Sequence, residues 1–280
     1  MSDSYALFGY PVQHSWSPFI HGMFARQTGQ DMVYRLHEVP PERFRNDVLE
    51  FFSHGGCGIN VTLPHKRAAA DLVNELTPRA QLADAVNTVV RRDEKLIGDN
   101  TDGAGLMADL ARNPKLRWTS PRILILGAGG AARGALGPLL ELQPRLLVIA
   151  NRTLGRALAL AREFADLGPV TACEFANLEH HRFDLIVNAT SASLRGEVPL
   201  IPIDVVDSMT TCYDMAYGVG DTAFVAWAKR LGAGRAEQGW GMLVEQAAEA
   251  FYLWRGIKPD TAPVLEALRQ RAAMAARSPS

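Results

Sequence analysis

The chain has 280 residues, enough for one large domain or two ordinary ones, and 48% of them are hydrophobic, ample for a buried core. Its formal net charge is -1 with acids and bases interspersed, which argues against nucleic acid as a partner and against an acidic interaction tail. No apolar run approaches a membrane span, and MSDSYALFGYP lacks the basic start and long apolar run of a signal peptide, so a cytoplasmic protein without a membrane partner is expected.

In chain order, YALFGYP reads as a strand, residues 18–27 as a helix and MVYRLHEV as a second strand. A helix from about residue 41 to 52 precedes a short buried strand in GCGINVT. In the NVTLPHK stretch that follows, Asn60 and Thr62 are alternate residues, so a strand aims both at one face. Lys66 comes just past the proline that marks the strand end. AVNTVVRRDEKLIGDNTD reads as two strands joined by the charged turn Arg92-Asp93-Glu94-Lys95, and DGAGLMADLARN as a helix. The polar, proline-bearing RNPKLRWTSP then predicts a passage between domains.

From residue 121 to 217 strands and helices alternate. RILILGAGG, RLLVIANRT, FDLIVNATS and TTCYDMAY read as buried strands, with a shorter one in VTACEF. The stretch 131–142 and LGRALALAREFADLG read as helices between them. Such alternation implies a parallel, doubly wound sheet. GMLVEQAAEAFYLWRG and APVLEALRQRAAMA form two amphipathic helices before a frayed AARSPS tail. The expected fold class is therefore α/β with two domains. The simplest architecture is an α/β substrate domain over residues 1–105, a Rossmann-like dinucleotide domain over 106–237, and helices over 238–280 that return to the first, the return being inferred and not shown by periodicity. Cys57, Cys173 and Cys212 lie far apart without metal-ligand or CxxC spacing, so free thiols and no metal are expected.

Gly127-Ala128-Gly129-Gly130-Ala131-Ala132 fits G-x-G-x-x-G/A with alanine in the last place. Its position between a strand and a helix gives the match its weight, because sharply turning backbone there brings helix N–H groups to a pyrophosphate. A glycine-rich turn that binds nothing is the bland alternative. An NAD site usually carries an acidic residue about 20 residues further on, at the end of the next strand. This chain has Asn151-Arg152-Thr153 there, with Arg156 a turn later. A carboxylate would repel a 2'-phosphate, whereas arginine with amide and hydroxyl donors binds it. The residues therefore favour NADP.

The remaining polar candidates each have an ordinary structural reading. Ser15 and Ser17 flank Trp16 in HSWSP, and either can cap a helix before Pro18. Asn87 can satisfy strand backbone, Lys66 can be a surface lysine, and Asp102 can equally cap the helix that follows it.

Taken together these stretches resemble one family. HSWSP, NVTLPHK, AVNT, GDNTDG, GAGGAAR, NRT with Arg156, NATS and GMLVEQAAEAF stand in the order and spacing of the shikimate dehydrogenases, over about residues 5–268. The resemblance, to the stand-alone bacterial NADP-dependent type, implies reversible reduction of 3-dehydroshikimate to shikimate with NADPH, in aromatic amino-acid biosynthesis. It implies that Lys66 is catalytic and paired with Asp102. Asn60, Thr62, Asn87, Asp102 and Gln246 would contact the substrate, as would Tyr217, and Ser15 and Ser17 would hold its carboxylate. Thr190, Met215 and Gly239 would line the nicotinamide end of the cofactor. The family often has lysine between the two serines, where this chain has Trp16. His14 and His65 read as flanking residues. The small-molecule substrate and NADP are the expected partners, in a monomer or homodimer. The nearest rival is a quinate/shikimate dehydrogenase using NAD, against which the lack of an acid at Asn151 or Arg152 argues. A non-catalytic dinucleotide-binding sensor would not need the full polar set.

Overall fold

Apolar runs build two sheets in this protein, whose computed structural model describes residues 2–112 and 118–277. The chain divides into two units, Met1–Gly105 completed by Leu243–Met274, and Leu106–Met242 with Ala275–Ser280. Residues 113–117 of the expected interdomain passage and 278–280 of the tail lie outside the described residues.

The first unit is built on a mixed six-stranded sheet. Its strands are β1 (Asp3–Gly9), β2 (Met32–Glu38), β3 (Gly56–Val61), β4 (Glu75–Leu76), β5 (Thr88–Arg92) and β6 (Lys95–Asp99). Their order across the sheet is β2-β1-β3-β5-β6-β4, with β1 parallel to both neighbours and β5 antiparallel to β3 and β6. β1 sits inside the sheet and is buried from Tyr5 to Gly9, as a strand covered on both faces must be. One face packs Phe8, Ile59, Val61 and Val89 against Phe44, Val48 and Phe52, from α2 (Phe44–Ser53). Around it lie α1 (Ser17–Thr28), α3 (Lys66–Leu72), α4 (Pro78–Ala83) and the start of α5 (Asp102–Ala111).

The second unit is an all-parallel sheet of β7 (Arg122–Leu126), β8 (Leu146–Ala150), β9 (Val170–Cys173), β10 (Leu185–Asn188), β11 (Thr211–Asp214) and β12 (Arg235–Gln238). The order β12-β11-β10-β7-β8-β9 is the doubly wound order, with its switch point between β7 and β10. Residues 123–126 and 147–150 are buried throughout, the mark of central parallel strands. The connecting helices include α6 (Gly130–Leu140), α7 (Leu154–Glu163) and α8 (Ala223–Arg230). Two long helices end the chain: α9 (Trp240–Arg255), which begins in the second unit and runs into the first, and α10 (Ala262–Arg277).

The sequence does not announce α3, β4, α4, α8 or β12. α3, α4 and β4 are seven, six and two residues long, too short to show a period. β12 reads RAEQ, with no apolar alternation, and earns its place only by pairing at the sheet edge. α2 starts at Phe44, not near residue 41, because residues 41–43 form a turn after paired prolines. No helix among the described residues is long and apolar enough to cross a membrane.

Candidate active site

Two helix starts supply the charged centre of the first unit. β3 ends at Val61, so Thr62 lies one residue beyond it, with its N–H still donating to Phe8 O at 2.9 Å. Residues 62–65 turn the chain into α3, whose first residue is Lys66. Lys66 Nζ donates to Asp102 Oδ2 at 2.5 Å, and Asp102 opens α5. The two side chains are 26% and 20% exposed, so solvent and a ligand can both reach the pair. Asp102 Oδ1 accepts from Asn87 Nδ2 at 2.7 Å. Asn87 is itself buried, and its Oδ1 accepts from Thr101 N at 2.8 Å. Gln246 Oε1, from α9, stands 3.4 Å from Asn87 Nδ2. The Asp102 carboxylate is thus aimed at Lys66 and Asn87, and Asn100 Oδ1 takes the Asp102 N–H at 3.1 Å.

The ordinary reading of the serines also changes. α1 begins at Ser17 with Trp16 in the cap position and no side-chain cap bond. Ser15 Oγ instead accepts the Ser17 N–H at 3.2 Å, and its hydroxyl donates to Ser17 Oγ at 3.1 Å. Trp16 packs edge-on to Phe19. His65 is buried, stacked on Phe44, with Nε2 donating to Val39 O at 2.6 Å, so it anchors the residue before Lys66. His14 is exposed.

Asn60 lies inside β3 and is buried. Its Nδ2 donates to Asn87 O at 3.2 Å and Thr88 Oγ1 at 3.1 Å, while its Oδ1 accepts from Tyr34 OH at 2.8 Å. The structure therefore joins Asn60, Lys66, Asn87, Asp102 and Gln246 through one bonded network. Ser15 and Ser17 share a bond in the same unit. Tyr217 belongs to the second unit, where it packs on Trp240 with ring centroids 4.6 Å apart.

In the second unit the glycine turn joins β7 to α6. Gly127 has φ +104°, and a side chain on it would press on Ala189 O, so glycine is required there by the fold. Gly129 and Gly130 differ: a Cβ on either meets no protein atom within 4 Å. Among the described residues nothing crowds those two positions, and the space they leave lies at the N-terminal end of α6. Such a cradle fits a pyrophosphate. Ala128 and Ala131 complete the turn, and Ala132 is fully buried where helix meets sheet.

At the end of β8, Asn151 Nδ2 donates to Thr153 O at 2.9 Å, shaping the turn into α7. Thr153 precedes that helix without a side-chain cap bond. Arg152 and Arg156 are exposed, and no hydrogen bond or ion pair engages either guanidinium among the described residues. Arg133 has a structural partner instead, Glu163 at 2.6 Å. Two free guanidinium groups beside an open hydroxyl suit a phosphate dianion.

Asn188 and Asp214 end β10 and β11 and were not singled out by sequence reasoning. Asp214 is fully buried, and among the described residues no cation pairs with it. Its Oδ2 accepts from Ser193 Oγ at 2.5 Å and Thr222 Oγ1 at 2.6 Å, and its Oδ1 from Asn188 Nδ2 and Ala216 N, both at 3.1 Å. Burial raises its carboxyl above the usual range, and these four bonds only partly oppose it. Asn188 Oδ1 in turn accepts from Thr190 N and Thr190 Oγ1, and Asn188 O from Met215 N. The pair thus fixes the loops that carry Thr190 and Met215. Gly239 closes the same region: a Cβ there would sit 2.5 Å from Met215 O. The available signal was a polar residue at the carboxyl end of each of two apolar strands, where ligands of such sheets bind.

Three family models match the chain: "Shikimate dehydrogenase substrate binding domain" over residues 7–89, "Shikimate / quinate 5-dehydrogenase" over 109–198, and "Shikimate 5'-dehydrogenase C-terminal domain" over 239–269. The shikimate dehydrogenase (NADP(+)) of Methylococcus capsulatus is 53% identical, with 95% of this chain and 96% of that protein covered. Among solved structures, an Ael1 enzyme from Pseudomonas putida superposes with a TM-score of 0.91 at 44% identity, covering 95% of this chain and 98% of that one. The Thermus thermophilus shikimate 5-dehydrogenase in complex with NADP(H) and shikimate does so at 0.85 and 33% identity, covering 96% and 99%.

Proposed function

The chain belongs to the shikimate dehydrogenase family, and from that premise we propose how its own residues divide the work. The reaction is the reversible, NADPH-dependent reduction of 3-dehydroshikimate to shikimate, oxidoreductase chemistry at a CH–OH group. In our reading residues 1–105, with the C-terminal helices of 238–280, bind the substrate, and 106–237 bind NADP.

Bound NADPH supplies the hydride that the ketone carbon accepts. Gly127, Ala128, Gly129, Gly130 and Ala131 would hold its pyrophosphate, and Asn151, Arg152, Thr153 and Arg156 its 2'-phosphate. Thr190, Met215 and Gly239 would border the nicotinamide. Negative charge then grows on the substrate oxygen. Lys66 Nζ uses one N–H on Asp102, which leaves two for that oxygen. It stabilises the oxygen and delivers the proton, while Asp102, itself held by Asn87, keeps the ammonium in place. Ser15 and Ser17 offer neutral hydroxyls to the substrate carboxylate. Asn60, Thr62, Asn87, Gln246 and Tyr217 offer groups to its hydroxyls, a set that discriminates against analogues lacking one. We further infer cytoplasmic residence and a monomer or homodimer.

The observation that carries this reading is the accessible Lys66–Asp102 pair locked by Asn87. The test is a two-by-two assay of shikimate or quinate with NADP or NAD, following nicotinamide absorbance. Turnover should be strong with shikimate and NADP alone. A preference for quinate or NAD would overturn the substrate or the cofactor half of the reading respectively.

A further inference from the structure

Asn60 is assigned above to the substrate, yet most of its hydrogen-bonding capacity is consumed inside the first unit. A primary amide has two N–H donors and two oxygen lone pairs. Both donors of Asn60 are spent, on Asn87 O and Thr88 Oγ1. Because Asn87 O can only accept, the amide nitrogen must face it, and the oxygen must face Tyr34. Tyr34 OH then donates, at 2.8 Å, and fills one of the two lone pairs. What remains is a single acceptor lone pair on Asn60 Oδ1, with the His21 ring as its one further neighbour among the described residues.

Tyr34 is built to hold that geometry. It stands on the edge strand β2, and its ring stacks on His21 with centroids 4.3 Å apart and planes 11° from parallel. His21 is wholly buried; among the described residues neither ring nitrogen makes a well-formed hydrogen bond, although the ring faces the Asn60 amide. Burial pushes its pKa down to about 3, so the ring stays neutral and serves as a flat wall. Burial likewise raises the Tyr34 phenol, which stays protonated and able to donate, while the Ser17 hydroxyl approaches it from α1. Tyr34 therefore stands between a serine and an asparagine that the substrate reading both uses.

We propose that Tyr34 is a positioning residue for substrate recognition: its hydroxyl fixes the Asn60 amide so that one oxygen lone pair is presented to a donating substrate hydroxyl. The inference rests on Asn60 being a substrate contact. Tyr34→Phe removes one oxygen atom and keeps the ring stack, so the fold is retained. The test compares Tyr34→Phe, Asn60→Ala and the double variant by steady-state kinetics with shikimate and NADP, alongside thermal unfolding.

Tyr34→Phe should raise KM for shikimate about tenfold, the scale of one lost hydrogen bond. Turnover should stay within about twofold, with KM for NADP unchanged. On the Asn60→Ala background the same change should add less than about twofold, because coupled residues are not additive. A large effect of Asn60→Ala with none from Tyr34→Phe would overturn the proposal and leave the Asn60 reading standing. No effect from either would overturn both. Full additivity, or equal losses in KM for both ligands with a lowered unfolding temperature, would make Tyr34 a packing residue and overturn the proposal.

Discussion

Lys66 occupies the first position of a helix, where the macrodipole opposes a cation by roughly 0.3–1 kcal/mol. Local helix stability does not select a lysine there, and the partly exposed pair with Asp102 adds little stability of its own. In the proposed reaction its value is chemical. Lys66→Ala should lower turnover by about two orders of magnitude or more while NADP binding, read by nicotinamide fluorescence, is preserved. Retained turnover would remove Lys66 from its role. In the second unit, Arg152 faces solvent, and no hydrogen bond or ion pair engages its guanidinium among the described residues. Arg152→Ala should raise KM for NADP far more than KM for NAD in matched assays. Equal losses would refute the 2'-phosphate reading. Both residues were legible in the sequence because they sit inside ungapped motifs. Tyr34 was not, because its partner Asn60 is 26 residues away and only the pairing of strands brings them together.

Several short elements matter to the site through one buried clamp. Arg79 of α4 forks onto Asp99 at the end of β6, with Nε to Oδ1 at 2.6 Å and Nη2 to Oδ2 at 2.7 Å. Its Nη1 reaches Glu249 of α9 at 3.0 Å, three residues beyond Gln246. Asp99 also accepts from Thr77 and from the Asn100 N–H, and so anchors the loop that leads to Asp102. Burial alone would raise the Asp99 carboxyl; the Arg79 fork and these donors outweigh it and hold the pKa below the usual range. Arg79→Ala strands a buried carboxylate and should cost about 3 kcal/mol of unfolding free energy, measured by urea titration. A group with a lowered native pKa stabilises above its unfolded value, about 3.9 for aspartate, and loses that effect as the pH falls through the native value. The gap between variant and parent should therefore be full near neutrality and close in acid. A gap that persists unchanged in acid would show that Arg79 acts by packing. None of this was visible from α4 itself, a six-residue helix without a readable period.

For the whole molecule, the discontinuity of the first unit sets what can be removed. Its core includes Phe251, fully buried, and beside it the half-buried Trp254 packs at a tilt on Tyr5, ring centroids 4.8 Å apart, and donates to Val89 O at 3.0 Å. A chain ending at residue 242 loses both; for the fully buried Phe251 alone, truncation to alanine costs about 3–5 kcal/mol. It should lack cooperative unfolding of the first unit, by near-ultraviolet circular dichroism, whereas the contiguous stretch 106–242 should still bind 2',5'-ADP by calorimetry. A truncated chain that unfolds like the parent would contradict this dependence. Sequence alone determined the α/β class, the parallel order of apolar strands, the glycine turn with its arginines, and the family. Those features are local in the chain: period, glycine placement and motif spacing are properties of neighbours. Tertiary structure alone decided that Asn87 holds Asp102, that Asn100 Oδ1 takes the Asp102 N–H, that Asp214 and Asn188 tie the loops carrying Thr190 and Met215, and that Tyr34 orients Asn60. Those are contacts across strands and helices, set by sheet register and by which buried polar group finds a partner, and no single stretch of sequence contains both ends of them.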